Sequence, residues 1–121
     1  MLPTDVNYVL MKNLIQTPEK TLSFVSGTTV YSFLLYGNAL THTIVLVMPT
    51  ITGAVCTATL KIENKEGREI YTSATTLAEA TTHILATEKP IVGRNKVTVT
   101  LSTDPLSSAT AYVSLYLQGR N

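Results

Sequence analysis

Two segments of the sequence alternate strictly between apolar and polar residues, and this constrains the fold more than any other feature. In Lys96–Ser102 every second residue is Val or Leu, and the same holds in Tyr112–Gln118. Successive side chains of a β-strand point to opposite faces, so the pattern indicates strands with one face in a core. Between them, Asp104 and Pro105 favour a turn. The sequence therefore predicts a hairpin of these two segments with an exposed tip.

Further β-type segments precede this pair, separated by turn-forming residues. The sequence predicts strands at Thr21–Val25, Thr28–Tyr36, Thr41–Met48, Val55–Asn64, Glu69–Ser73 and Thr81–Glu88. Connections are expected at Gly37–Leu40, at Asn64–Arg68, which makes a tight hairpin turn, and at Lys89–Asn95. Residues 74–86 allow a short helix, but their threonine pairs favour a loop through about Ala80 and then a strand. About eight short strands predict an all-β fold, an antiparallel β-sandwich of jelly-roll or Ig-like type, or a barrel.

The first 20 residues differ from the rest, so we expect an N-terminal arm (residues 1–20) followed by a β-sandwich domain (residues 21–121). Pro3 and Pro18 bracket this stretch, and both of its faces are partly apolar. An edge strand, a short helix and an extended arm are all compatible with it. We favour an extended arm that packs on the domain or on a neighbouring subunit. The predicted contact residues are Tyr8, Leu10 and Leu14.

The predicted strand Thr41–Met48 is apolar on both faces. A sandwich strand with one face in the core and one face in solvent should be apolar on the core face only. Ile44, Leu46 and Met48 share one face, and Val45 and Val47 lie on the other. Apolar surface of this kind marks an interaction site. We therefore expect the N-terminal arm or another subunit to cover Val45 and Val47.

The composition excludes several classes of protein. Charged residues make up 14% of the chain and the formal net charge is +1, unlike disordered chains or basic nucleic-acid binders. Cys56 is the single cysteine, which leaves no disulfide within the chain, and we expect it in the core. No apolar run reaches about 18 residues, so we expect no membrane partner and a chain made soluble in the cytosol.

No spacing of reactive residues points to catalysis. His42 and His83 lack a histidine or carboxylate at a metal-ligand spacing. We expect no enzyme activity, no metal and no cofactor. Tyr112 and Tyr116, predicted to share a strand face, leave open a stacking platform for a sugar, although cross-strand packing is the simpler interpretation.

The last third of the chain resembles the ending of small β-sandwich virion proteins of tailed bacteriophages. The matching residues are Pro90–Gly93, then Val97–Ser102, Asp104-Pro105 and Ala109–Leu117. The resemblance implies a structural virion component, such as a capsid decoration (cementing) protein or a tail or head–tail accessory protein. It implies no catalytic residue and no cofactor.

From this resemblance we expect a virion protein made in a bacterial host's cytoplasm. It would stabilise a shell by multivalent contacts. Its expected partners are further copies of itself, with a trimer as one option, and the major capsid or other virion proteins, but no nucleic acid. The alternative is a glycan- or receptor-binding β-sandwich on a particle surface. The expected interface residues are Tyr8, Leu10, Leu14, Val45 and Val47.

Overall fold

The computed structural model of the chain describes residues 14–16 and 19–119, which form eight β-strands joined by turns and loops. The strands are β1 (Leu14–Gln16), β2 (Lys20–Phe24), β3 (Val30–Val47), β4 (Thr57–Asn64), β5 (Glu69–Thr72), β6 (Leu77–Ala78), β7 (Thr82–Leu101) and β8 (Ala109–Gly119). All their pairings are antiparallel, in the order β1-β8-β3-β7-β4-β5, with β2 also on β8 and β6 also on β4.

The strands form two packed layers, A and B, and the two longest strands, β3 and β7, run through both of them. β3 pairs with β7 from Val30–Thr100 to Val47–Thr82. Beside this pair, β4 borders only the second half of β7, and β8 borders only the second half of β3. Layer A therefore contains β5, β6, β4, the end of β7 and the start of β3. Layer B contains the start of β7, the end of β3, β8, β2 and β1.

The sheet passes from one layer to the other near a pair of glycines. Gly37 lies opposite Gly93. This pair stands between the part of β7 that pairs with β4, which begins at Asn95, and the part of β3 that pairs with β8, which begins at Ala39. Gly93 has a φ of +69°, a conformation that glycine adopts without steric cost. A register shift between Thr41 and Thr43 adds a bulge, which bends a strand and increases its twist.

The inner faces of the two layers enclose one hydrophobic core. Layer A contributes Leu60, Ile62, Val97 and Val99, and layer B contributes Phe24, Ile44, Leu46, Val113 and Leu115; all are fully buried. The molecule is thus an all-β antiparallel sandwich, as the sequence predicts. Because every strand places alternate residues inward, the intervening residues of the same strands face outward.

The tight hairpin at Asn64–Arg68 is confirmed. β4 and β5 pair in antiparallel register, and Gly67 in the turn has a φ of +82°. The Asn64 side chain accepts hydrogen bonds from the backbone N–H groups of Glu66 at 3.0 Å and Arg68 at 2.9 Å. An asparagine that bonds to the following backbone is a common turn-former, and here it closes the hairpin.

Two expected connections are wrong, because both lie within long strands. Gly37–Leu40 belongs to β3, which is 18 residues long, and Lys89–Asn95 belongs to β7, which is 20 residues long. Glycine and asparagine also fit a bent strand, and Pro90 lies where β7 pairs with β3 alone, an edge position that accommodates proline. By contrast, the strand expected from Thr81 is confirmed, with β7 beginning at Thr82. The expected loop before it contains the two-residue strand β6.

The predicted hairpin of Lys96–Ser102 and Tyr112–Gln118 is also wrong, although both segments are strands. The end of β7 pairs with β3 and β4, whereas β8 pairs with β1, β2 and β3. Residues 102–108 cross from layer A to layer B, so the two strands face each other across the core. Alternation shows which face of a strand is buried but does not choose its hydrogen-bonding neighbour.

The range expected to be an arm is only partly described. Leu14–Gln16 forms β1 and pairs with β8 of the same sandwich, and Lys20 begins β2. Tyr8 and Leu10 lie outside the described residues. The division into an arm (residues 1–20) and a domain (residues 21–121) therefore stays a prediction.

The crossing at residues 102–108 packs closely against the loop that precedes β4. The N–H of Gly53 donates to the Ser107 hydroxyl at 3.1 Å. A Cβ atom on Gly53 would lie against the carbonyl oxygen of Pro105 and 2.7 Å from that of Leu106. Only a residue without a side chain fits this contact between two loops.

We therefore expect Gly53→Ala to destabilise the fold by about 1–3 kcal/mol, because the added methyl group forces backbone against backbone. Urea denaturation followed by circular dichroism measures the change. Thr52→Ala, at the exposed neighbouring position, serves as the control. Equal stability of the two variants would contradict the proposed close contact.

Candidate functional site

The outer face of layer B carries a contiguous apolar surface, which we name the Val45 face (Val45, Val47, Ile84 and Tyr112). Val45 lies opposite Ile84 on β7, and Val47 lies opposite Tyr112 on β8. Ile84 is 73% exposed and Tyr112 37% exposed, while the two valines are half-buried. Large side chains that remain accessible on neighbouring strands offer surface that a partner can bury.

The two faces of the β3 segment behave as the sequence indicates. Ile44 and Leu46 are fully buried and Met48 is 2% exposed, whereas Val45 and Val47 project outward from the same strand. Of the predicted interface residues, the structure brings together these two valines. Leu14 lies in β1, at the far side of β8 from β3. The structure thus leaves the role of Tyr8, Leu10 and Leu14 a prediction.

Ile84 is a member of the Val45 face that the sequence analysis missed. It lies in a threonine-rich stretch, and no local pattern places it beside Val45. The alternation His83, Ile84, Leu85 in a strand does predict that Ile84 points away from Leu85. The missing information is the register of β7 on β3, which only the folded chain supplies.

The tyrosine pair also lies on this outer side of layer B. Tyr112 and Tyr116 are four residues apart in β8, so they share a face as predicted, and Tyr116 lies opposite Thr43. Tyr116 is half-buried. Tyr116, which pairs with Gln16, extends the Val45 face towards β1. The hydroxyl groups of both tyrosines can also bind polar partners.

A shallow cleft with a mixed polar and apolar lining is found at the β4–β5 turn, on layer A. It has a volume of about 370 Å³. Asn95, which is 1% exposed, lines it, and its Oδ1 atom is buried without a hydrogen-bond partner among the described residues. Its Nδ2 atom donates weakly to the carbonyl oxygens of Val92 at 3.4 Å and Gly93 at 3.3 Å. The other lining residues are Asn64, Lys65, Glu66, Ile70, Val92 and Gly93.

Cys56 lies in the core, as predicted, and its surroundings disfavour the thiolate. It is 1% exposed. Burial raises the pKa of its thiol, and the nearby carboxylates of Glu79 and Asp104 raise it further. Glu79 accepts a hydrogen bond from the Cys56 N–H at 3.0 Å. A buried thiol with a raised pKa is a poor nucleophile.

The two histidines occupy separate places. His83 is on β7 and lies opposite Leu46 of β3. Its Nε2 atom is 2.8 Å from the carbonyl oxygen of Ala78. His42 lies at the β3 bulge, and its side chain is outside the described set. Within the described part of the chain, no three His, Cys, Asp or Glu residues are grouped to hold a metal ion. That part also contains no helix of the length and hydrophobicity needed to span a membrane.

No protein-family model and no curated protein matches the sequence. Several solved structures are similar. A carbohydrate-binding module, TmCBM61 in complex with β-1,4-galactotriose, has a TM-score of 0.48 at 12% identity, over 91% of this chain and 83% of that one. The module CBM36 in complex with calcium and xylotriose has a TM-score of 0.43 at 14% identity, over 85% and 96%. The infectious bursal disease virus VP2 subviral particle has a TM-score of 0.45 at 13% identity, over 89% and 33%. No function follows from similarity at this level.

Asp104 fastens the crossing loop to the turn that precedes β3. Its two carboxylate oxygens each lie 3.0 Å from the N–H of Gly27, and Oδ1 also accepts from the N–H of Leu106 at 2.9 Å. The hydrogen bond from Gly27, and then that from Leu106, lower the pKa of Asp104. Hydrogen bonds to the charged form favour that form.

We expect Asp104→Asn to lower stability at neutral pH and to have a smaller effect in acid. A carboxyl group with a lowered pKa in the folded state stabilises the fold above its ordinary value of 3.8, and this contribution disappears as the pH falls through the lower folded value. Urea midpoints of the variant and the parent chain should therefore converge below about pH 4.

The control for this experiment is Glu69→Gln, which alters an exposed carboxylate on β5. If the difference in urea midpoint between Asp104→Asn and the parent chain stays constant from pH 7 to pH 2, the Asp104 charge does not stabilise the loop.

Proposed function

We propose that this chain is a structural virion protein of the capsid decoration type, which strengthens a bacteriophage shell by bridging neighbouring subunits. The observation that carries the proposal is the Val45 face. Its four side chains are apolar or aromatic, lie on three adjacent strands and remain partly or largely exposed. The rest of a sandwich face is normally polar, so such a surface calls for a binding partner.

The energetics suit repeated modest contacts. Burial of apolar surface contributes about 25 cal/mol per Å², and a standard interface buries about 1,600 Å² in total. Several such contacts on one lattice raise avidity by about 10²–10⁴-fold. Because the net charge is +1, charge steering contributes little, and docking should persist at moderate salt, unlike nucleic-acid binding.

The resemblance of the last third of the sequence to small phage virion proteins supports the same function. The proposal places the chain in the virion, after synthesis in a bacterial host's cytoplasm, with copies of itself and the major capsid protein, or another virion protein, as partners. It requires no catalysis and no cofactor. A tail or head–tail accessory protein would use the Val45 face in the same way.

Glycan or receptor binding on a particle surface is the second candidate function. Tyr112 is 37% exposed and shares its face with Tyr116, and aromatic faces are suited to stacking on sugar rings. The cleft beside Asn95 offers amide and charged groups for hydroxyl recognition. This candidate requires a soluble saccharide ligand, whereas the decoration function requires a particle surface.

We expect Val45→Asp and Val47→Asp to abolish binding to particles while the fold persists. A carboxylate in a contact that excludes water loses its hydration, which costs at least about 1–3 kcal/mol per contact and is repeated over every contact of the lattice. Purified protein is added to phage particles that lack it, and the bound fraction is measured by sedimentation together with the temperature at which the genome is released.

Val55→Asp is the matched control, because Val55 is an exposed valine on the loop before β4. It should bind like the parent chain and raise the release temperature equally. No co-sedimentation of the parent chain would contradict the decoration function. Binding of a saccharide array that is lost in Tyr112→Ala would then favour the second candidate.

A further inference from the structure

Among the strands that the structure describes, the first half of β3 is an open edge of layer A. From Val30 to Tyr36 the strand pairs with β7 on one side, while β8 begins to pair on the other side only at Ala39. Three apolar side chains on the outer face of this edge are exposed: Val30 at 54%, Leu34 at 46% and Tyr36 at 66%. This edge therefore presents exposed apolar side chains together with backbone groups that no other described strand pairs with.

This edge has none of the features that usually prevent strand association. From Thr21 to Leu60 the sequence contains no Asp, Glu, Lys or Arg, and no proline interrupts β3. The other edges differ: the first half of β7 contains Lys89 and Pro90, and β5 is only four residues long. Natural edge strands are protected by charges, prolines, bulges or short length. The open edge Val30–Tyr36 is the described edge without such protection.

We propose that Val30–Tyr36 pairs with the same segment of a second copy of this chain, antiparallel and about a two-fold axis near Phe33. This register places Val30 opposite Tyr36 of the second copy, and Ser32 opposite Leu34. The exposed apolar side chains then meet on one outer face, and layer A continues through both subunits as one sheet. Cross-strand apolar pairs of this kind stabilise antiparallel sheets.

The charges next to the edge are compatible with this arrangement. On β7, Arg94 lies opposite Tyr36 and Lys96 opposite Leu34. In the two-fold register, the row of paired residues that starts at Arg94 ends at Thr100 of the second copy. The row that starts at Lys96 ends at Thr98 of the second copy. Basic residues of the two subunits therefore do not face each other, and the edge strands themselves carry no charge that would be buried.

The neighbouring elements limit the register. On each subunit, β8 occupies the same side of β3 from Ala39 onward. A second strand can therefore occupy only the segment before Ala39. Because both copies have this limit, the two-fold axis must lie near the middle of the open segment. The pairing closes on itself as a dimer, since an isologous contact uses the same surface on both subunits.

Sedimentation equilibrium of the full chain tests the proposal. The parent chain should be a dimer at micromolar concentration. Leu34→Lys should raise the dimer dissociation constant at least about tenfold, because each dimer carries the new charge twice. Leu106→Lys is the matched control, since Leu106 is 61% exposed on the crossing loop. Circular dichroism and thermal unfolding establish that all variants fold.

Mixing two variants identifies the contact itself. Leu34→Lys and Leu34→Glu should each weaken the dimer, and an equimolar mixture should restore it, because the two side chains lie diagonally across the axis at about 7–8 Å. A monomeric parent chain, or a dimer that survives Leu34→Lys, would overturn the proposal. Deletion of residues 2–13 should leave the dimer intact, and its loss on deletion would assign self-association to the N-terminal segment instead.

This pairing goes beyond the decoration function and does not depend on it. Val45→Asp changes the outer face of layer B and should leave the dimer unchanged, whereas Leu34→Lys changes layer A. A dimer that fails to bind particles would contradict the decoration function alone. A monomer that binds particles would contradict the strand pairing alone.

Discussion

The pairing of β3 with β7 is the interaction on which the other parts of the molecule depend. It runs from Val30–Thr100 to Val47–Thr82 and passes through both layers. Each of these strands also carries one half of the remaining sheet, because β4 adds to β7 and β8 adds to β3. Without this shared pair, the two inner faces would have no fixed separation, and the core between them would not close.

This arrangement gives one strand two exposed surfaces. The end of β3 contributes Val45 and Val47 to the outer face of layer B, and its beginning forms the open edge of layer A. The two surfaces lie in different layers, so a partner on one does not block the other. In the two proposals, layer B contacts a shell and layer A contacts a second copy, an arrangement that suits multivalent binding.

The strand pairing needs a reliable connection from layer A back to layer B. Residues 102–108 make it, and two of their side chains hold this loop to its neighbours. The Asp104 carboxylate accepts from the N–H of Gly27 at 3.0 Å, and the Ser107 hydroxyl accepts from the N–H of Gly53 at 3.1 Å. Asp104 in this loop and Gly53 in the loop before β4 are therefore structural residues. Loops that cross between layers need such partners because they lack a sheet ladder.

The sequence by itself determined the class of fold, most strand positions and the buried face of each strand. Alternation in Lys96–Ser102 and Tyr112–Gln118 reports side-chain direction, which is a local property with a period of two. The same rule predicted the outward direction of Val45 and Val47. Asn64 and Gly67 likewise predicted the β4–β5 turn, since turn chemistry acts over a few residues.

Only the tertiary structure decided which strands are neighbours. It thereby also decided the two candidate surfaces, the Val45 face and the open edge Val30–Tyr36. The end of β7 and the start of β8 look like a hairpin, yet they pair in different layers, because the core is closed by facing sheets rather than by sequence neighbours. Gly37 and Gly93 read as turn residues and instead bend two long strands. The position of Ile84 beside Val45 and the open edge Val30–Tyr36 have the same cause. Both depend on the hydrogen-bond register of the strands, which is set by long-range packing and is not encoded in any local pattern.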